Sequence, residues 1–313
     1  DKGVWQLGRA AWILGELYNN VEPRGDWLEL AQNTAAFIDN HCYDPADGRM
    51  YFHVTRDGRP IRKRRYAFSE SFAAIAYGEL AQATGREEYA EKARRCFQRF
   101  VDHSLNLRGV EPKFTDVRPT RGIAFPMITI NTAQELRSSI GLAEADEWIE
   151  RSINTIRRYH VKENLECVLE TVGLNGELID HFDGRTLNPG HAIEAAWFIM
   201  SEGKHRGDSD LINLGSRILD WMWRRGWDNE YGGILYFVDV KGLPVQEYWH
   251  DMKFWWPLNE TIIATLLAWS LTGDTKYADW HTRAHDHPSH QGSSSTGMGI
   301  FTSCSECRGP GLL

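Results

Sequence analysis

Phe68-Ser-Glu-Ser-Phe-Ala-Ala-Ile-Ala-Tyr-Gly-Glu-Leu-Ala-Gln-Ala-Thr84, followed by Gly85 and then by Arg86 to Ser104, is the stretch that sets the architecture. The first segment is apolar nearly all round, and a helix of that character is buried on every side. The second has apolar residues at helical spacing with charges between them, so it buries one face and wets the other. Gly85 separates them as a helix stop. The alternation recurs: Pro189–Glu202 and Pro257–Thr272 read like the first segment, Glu144–His160 like the second. Periodicity predicts helices over about 4–19, 26–41, 68–84, 86–104, 121–139, 144–160, 189–202, 207–226, 257–272 and 275–286. Fully buried helices alternating with half-buried ones are what two concentric rings produce. Ten helices make five pairs; a closed six-pair ring needs two more, expected beyond the present ends.

An internal repeat supports that reading. Asp44-Pro-Ala-Asp-Gly-Arg-Met-Tyr-Phe-His-Val-Thr-Arg-Asp-Gly-Arg-Pro60 recurs loosely as Asp228-Asn-Glu-Tyr-Gly-Gly-Ile-Leu-Tyr-Phe-Val-Asp-Val-Lys-Gly-Leu-Pro244. Each follows an outer-type helix and reads as a two-stranded hairpin with a glycine-containing turn and a proline exit. The expectation is a toroid of helical hairpins with β-hairpin loops on one rim.

Composition narrows the function. The chain has 313 residues and 13 Trp, with 35 basic against 43 acidic side chains, a net charge of −8. The only basic run is Arg62-Lys63-Arg64-Arg65, which argues against nucleic acid as a partner. The longest apolar run, Thr261 to Leu271, is far short of the roughly 20 residues a membrane-spanning helix needs. No signal peptide is legible and the chain starts at Asp1, so the sequence reads as cytoplasmic and trimmed at its N-terminus. Five scattered cysteines do not suggest a disulfide framework, and Cys304 and Cys307 form a lone C-x-x-C without a second pair. His281, His285, His287 and His290 have metal-compatible spacing but lie on an outer helix and its tail, and no metal site is expected there. From about Pro288 all periodicity is lost, and this tail reads as disordered or as a frameshifted or truncated end.

Two helix mouths carry the candidate chemistry. In Asn188-Pro-Gly-His-Ala-Ile-Glu194, Pro189 opens a helix and His191 and Glu194 project from the same face of its first turn. A titratable ring beside a carboxylate at a helix N-terminus is an acid–base arrangement. Lys253-Phe-Trp-Trp-Pro-Leu-Asn-Glu260 repeats the design, with Pro257 at the start and Glu260 three positions on. Arg9 falls inside the apolar run Val4–Tyr18, where a charge needs a partner such as Glu16 or Glu70, or else a polar cavity; the cavity is the expectation. Glu70 and Asn131 lie on two other inner helices. Tyr66, Trp255 and Trp256 offer flat faces for a sugar, or core packing.

Asp1-Lys-Gly-Val-Trp-Gln-Leu-Gly-Arg9 together with the two helix-mouth motifs resembles the N-acylglucosamine 2-epimerase family over roughly residues 1–287. The resemblance implies an all-α (α/α)6 barrel, incomplete here at both termini, as one domain over 1–287. It implies a pocket at the N-terminal ends of the inner helices and epimerisation of a sugar at C2. By the same resemblance His191 is one of two catalytic histidines, Glu194 and Glu260 orient the histidines and the sugar, and Arg9 holds substrate oxygens. The family's second histidine, in a Trp-Lys-Gly-Pro-x-His segment, has no match in this chain, which points to an inactive form as written. Relatives act on N-acetylglucosamine, cellobiose or mannose; the Asn-Pro-Gly before His191 favours the first. The resemblance also implies no cofactor, with ATP as an allosteric effector of some relatives, and a homodimer as a common assembly.

C2 inversion is a proton problem. The aldehyde of the ring-opened sugar acidifies the C2 hydrogen, a base removes it to give an enediolate, and an acid returns a proton to the other face. Groups titrating near neutrality suit both steps, and Arg9 suits the charge developing on the C1 oxygen. Two readings compete. A glycoside hydrolase would use Glu194 and Glu260 as paired carboxylates and leave His191 without a task. A non-catalytic binding protein would use the same pocket, and some vertebrate relatives associate with a protease.

Overall fold

The computed structural model describes residues 1–105 and 117–287. In chain order the elements are β1 (Lys2–Gly3), α1 (Val4–Asn20), α2 (Gly25–His41), β2 (His53–Val54), β3 (Pro60–Arg62), α3 (Phe68–Thr84), α4 (Glu87–Ser104), β4 (Arg121–Gly122), α5 (Ala124–Ile140), α6 (Ala145–Thr155), β5 (Val161–Lys162), β6 (Cys167–Val168), β7 (Thr171–Val172), α7 (Phe182–Arg185), β8 (Thr186–Leu187), α8 (Pro189–Arg206), α9 (Ser209–Gly226), β9 (Val238–Asp239), α10 (Trp255–Thr272) and α11 (Thr275–His285). A π-helical turn, Ile156–His160, continues α6. All ten helices expected from periodicity are present within a few residues of their expected bounds; α7, a single turn, has no periodic signal to announce it. The described residues form two compact units, 1–105 and 117–118 with 128–152, and 119–127 with 153–287.

In the first unit α3 packs between α1 and α4, and α1 also packs on α2. Twelve consecutive residues of α3, Ser69 to Leu80, are buried, as its apolar circumference requires. Glycines let α1 approach closely: a Cβ on Gly8 would lie 2.8 Å from the Phe72 backbone, and one on Gly15 2.6 Å from Cβ of Glu79. Gly85 ends α3 with φ +66°, a left-handed conformation that glycine adopts without strain. Helix α4 buries one face, including Ala93, Phe97 and Phe100, and exposes the other.

In the second unit α8 packs against α9 and α10, and α10 against α11. Helix α8 is buried on nearly all sides, as expected. Helix α10 is not. It buries Leu258, Thr261, Ala264, Thr265 and Ala268 but leaves Ile263, Leu266 and Trp269 each more than 40% exposed. An apolar circumference permits burial, yet only a neighbour supplies it, and among the described residues the helices packed on α10 cover one side.

The repeated segments also part from expectation. After Asp44 the chain does form a hairpin: β2 pairs antiparallel with β3 and with β1. After Asp228 it does not return on itself; beyond an isolated Trp227–Ile234 bridge, β9 pairs with β8. Residues 288–313, including His290, Cys304 and Cys307, lie outside the described residues. No described helix is long and apolar enough to cross a membrane.

Candidate functional site

Each residue of Asn188-Pro-Gly-His has a local task at the mouth of α8. Asn188 is the N-cap, its Oδ1 accepting from the His191 N–H at 3.1 Å. Pro189 opens the helix without losing an internal hydrogen bond. Gly190 makes room for an indole, since a Cβ there would lie 2.7 Å from the Trp256 ring. His191 then projects from the first turn with its ring 5.3 Å from that of Trp256, inclined at 37°.

Glu170 places a carboxylate on His191. Both of its oxygens lie within hydrogen-bond distance of Nδ1, at 3.0 and 3.1 Å. Both side chains are partly exposed, 30% for His191 and 25% for Glu170, so the pair borders solvent. Tyr236 stands edge-on to Trp256 at 6.0 Å. Burial pushes the Tyr236 phenol up, and the charges of Glu170 and Glu247 add to it. The second unit therefore gathers an imidazole, a carboxylate and two aromatic faces around one helix mouth.

Sequence reasoning gave the orienting role to Glu194 and Glu260 and did not find Glu170. Glu194 is buried one turn beyond His191. Glu260 accepts from Trp197 Nε1 at 2.7 Å, which ties α10 to α8. Trp255, beside Trp256, is 56% exposed. Glu170 sits in a loop between β6 and β7, 21 positions before His191, and no spacing rule reaches it.

The other predicted residues lie in the first unit. Arg9 is exposed, with its guanidinium over the Phe72 ring at 3.9 Å; α1 buries a narrow stripe of small residues and Arg9 stands outside it. Tyr66 is half-buried among Trp5, Phe68 and Arg64. Glu70 is fully buried, and its Oε1 accepts from the Met50 N–H at 2.9 Å, pinning the first repeat loop to α3. Burial raises its pKa, opposed by that hydrogen bond and by the charges of Arg49 and Arg99. Asn131 is half-buried and hydrogen-bonds Glu135.

Carboxylate oxygens of Glu16, Glu79 and Glu135, from α1, α3 and α5, lie within 4.8 Å of one another. Their hydrogen-bond donors include Trp12, Asn19 and Asn131, all neutral. Burial pushes Glu79 up to about 7, the neighbouring carboxylates add to this, and the Asn19 amide opposes it. The C-terminal histidines diverge: His281 Nδ1 faces the Ile262 carbonyl, His285 Nδ1 faces Asp286, and His287 Nε2 faces the Tyr231 carbonyl.

The N-acylglucosamine 2-epimerase (GlcNAc 2-epimerase) family model matches residues 1–291. N-acylglucosamine 2-epimerase of Bos taurus is 34% identical over 285 residues, 87% of this chain and 66% of its own length. That of Mus musculus is 32% identical over 287 residues, 87% of this chain and 67% of its own length. The chain thus spans about two thirds of the length of these relatives. Among solved structures, cellobiose 2-epimerase from Bacillus thermoamylovorans aligns with a TM-score of 0.77 at 17% identity, covering 92% of this chain and 76% of that one. This likeness shows the fold, an α/α toroid.

Proposed function

The chain belongs to the N-acylglucosamine 2-epimerase family, and from that premise we propose that it inverts a reducing sugar at C2, interconverting N-acyl-D-glucosamine and N-acyl-D-mannosamine. The observation that carries the proposal is the His191–Glu170 pair at the mouth of α8, with Trp256 against the imidazole. A neutral imidazole is a base of suitable strength for a C2 hydrogen acidified by an adjacent aldehyde. His191 exchanges that proton on one face of the enediolate; turnover by this chain requires that another residue serve the other face in place of the Trp-Lys-Gly-Pro-x-His histidine it does not match. Trp256 and Tyr236 offer flat apolar surfaces to the sugar's C–H faces. Glu194 and Glu260 are carboxylates for its hydroxyls. The reaction is redox-neutral, so it needs no electron-carrying cofactor.

Incubation with N-acetylglucosamine in D₂O tests this. Deuterium should enter at C2 and the N-acetylmannosamine epimer should appear, both read by NMR. Exchange only with cellobiose or mannose would move the assignment to those sugars. No exchange with any of the three would remove the activity from this chain. His191→Ala should lower turnover by about 10²–10⁴-fold, the usual worth of a positioned acid–base group. A cytoplasmic location and a homodimer belong to the same proposal; the free, buried thiols of Cys42, Cys96 and Cys167 suit a reducing compartment.

A further inference from the structure

His160 lies outside the residues considered so far, yet it touches the backbone that presents Glu170. It ends the π-helical turn and is fully buried. Its Nδ1 lies 2.8 Å from the Leu169 carbonyl oxygen, and the Leu169 N–H donates to the His160 carbonyl at 3.0 Å. A carbonyl only accepts, so Nδ1 carries the hydrogen and Nε2 is left with a lone pair. That Nε2 is buried with no hydrogen-bond partner among the described residues. An apolar ring would avoid this desolvation cost. What the imidazole supplies is a donor for Leu169, which lies just past the two-residue β5–β6 ladder.

The next residue is Glu170. Its carbonyl accepts from the Ile123 N–H at 3.0 Å, so residues 169 and 170 are held at three backbone atoms before the Glu170 side chain reaches His191. An ionised carboxylate only accepts. It therefore holds the hydrogen of neutral His191 on Nδ1 and leaves the Nε2 lone pair to take a proton from a substrate.

We infer that Glu170 is a positioning residue that fixes the His191 tautomer, and that His160 holds Glu170 in place through Leu169. The inference rests on the reading of His191 as the proton-transfer residue. Neither Glu170 nor His160 need touch the sugar. Their loss should therefore lower kcat while leaving KM nearly unchanged.

The test uses the 313-residue chain with ¹⁵N-labelled histidine, the His191 ring signals being assigned by their disappearance in His191→Gln. The wild type should show a protonated Nδ1 and an unprotonated Nε2. Glu170→Gln keeps an acceptor oxygen, so the tautomer should persist while kcat falls about tenfold. Glu170→Ala should lose the tautomer preference, with kcat lower by about 100-fold. His160→Phe should lower kcat about tenfold, and His160→Gln, whose amide can still donate to Leu169, should recover part of it. Wild-type tautomer and wild-type kcat in Glu170→Ala would overturn the inference. If His160→Phe does not fold, the Glu170 variants decide it. If wild-type protein exchanges no sugar, the epimerase proposal fails, and the ring signals of Glu170→Ala alone decide whether Glu170 sets the tautomer.

Discussion

The two aspartate turns, one in each unit, share a hydrogen-bond pattern and differ in burial. In the first, Asp44 N–H donates to the Arg49 carbonyl, Gly48 N–H to that of Asp44, and Tyr51 N–H to that of Cys42. In the second, Asp228, Gly232 and Leu235 donate to Gly233, Asp228 and Gly226 at the same offsets. Each aspartate accepts from backbone N–H of its own turn and from a lysine just before the next apolar helix, Lys63 ahead of α3 and Lys253 ahead of α10. The Lys63–Asp44 side chains are 25% and 22% exposed, and Lys63 also holds Asp47. The Lys253–Asp228 side chains are 9% and 16% exposed, and His287 packs on Gly232 and Gly233. One local code therefore serves two energetic situations: an ion pair with a spare partner near water, and a lone pair under cover.

The largest expected effect breaks the covered pair. Asp228→Ala leaves Lys253 without its partner under cover and removes the turn's acceptor, and it should cost about 2–3 kcal/mol of stability. Urea unfolding measures this, and a loss no greater than that of Asp44→Ala would erase the distinction. Next come the glycines, both left-handed, Gly48 at φ +69° and Gly232 at +74°. Gly232→Ala should cost about 2 kcal/mol and Gly48→Ala about 1 kcal/mol. The added Cβ at 232 meets the His287 ring at 2.9 Å, whereas the one at 48 meets the movable tip of Arg99 at 2.8 Å. Asp44→Ala alone should barely move the unfolding midpoint, because Asp47 remains on Lys63; a clear shift should need Asp44→Ala combined with Asp47→Ala. The smallest effect is on the acid limb. Burial works against ionised Asp228, but Lys253 and the N–H groups of Tyr231 and Glu230 hold its pKa below the usual 3.8. Stability from this group is complete above that ordinary value and is lost as pH falls through the lowered one, so Asp228→Asn should flatten the acid limb of a stability–pH curve.

The same contrast explains what was legible in the sequence. The aspartate turns could be found because their hydrogen bonds run to their own backbone, and the helices because apolar spacing and glycine stops are local. The hairpin expected after each turn forms only in the first: β2 turns back to β3, as the repeat suggested, whereas β9 goes to β8, a choice made by distant neighbours. The exposed side of α10 belongs to the same class, since its sequence records apolarity and not the presence of a partner. At the site, the helix start at Pro189 and the projection of His191 from its first turn were legible in the motif, whereas the cap by Asn188 and the approach of Trp256 to Gly190 were not. Nor was Glu170, because two-residue strands and an irregular loop carry no period, and its contact depends on Leu169 and Ile123. Arg9 was placed by the Asp1–Arg9 motif and by the apolar run around it; the buried stripe of α1 is made of Val4, Gly8, Ala11 and Gly15, and Arg9 stands outside it, over the Phe72 ring.

The Glu16, Glu79 and Glu135 trio gives the first unit a proton ledger of its own. Glu79 is half-protonated at about pH 7 when folded, against an ordinary value of 4.5, so unfolding near neutrality releases acid into the medium. Stability from Glu79 is complete below about 4.5 and is lost as the pH climbs through 7. Calorimetric unfolding at pH 7 should then give a heat that changes with the ionisation enthalpy of the buffer, and Glu79→Gln should shrink that dependence.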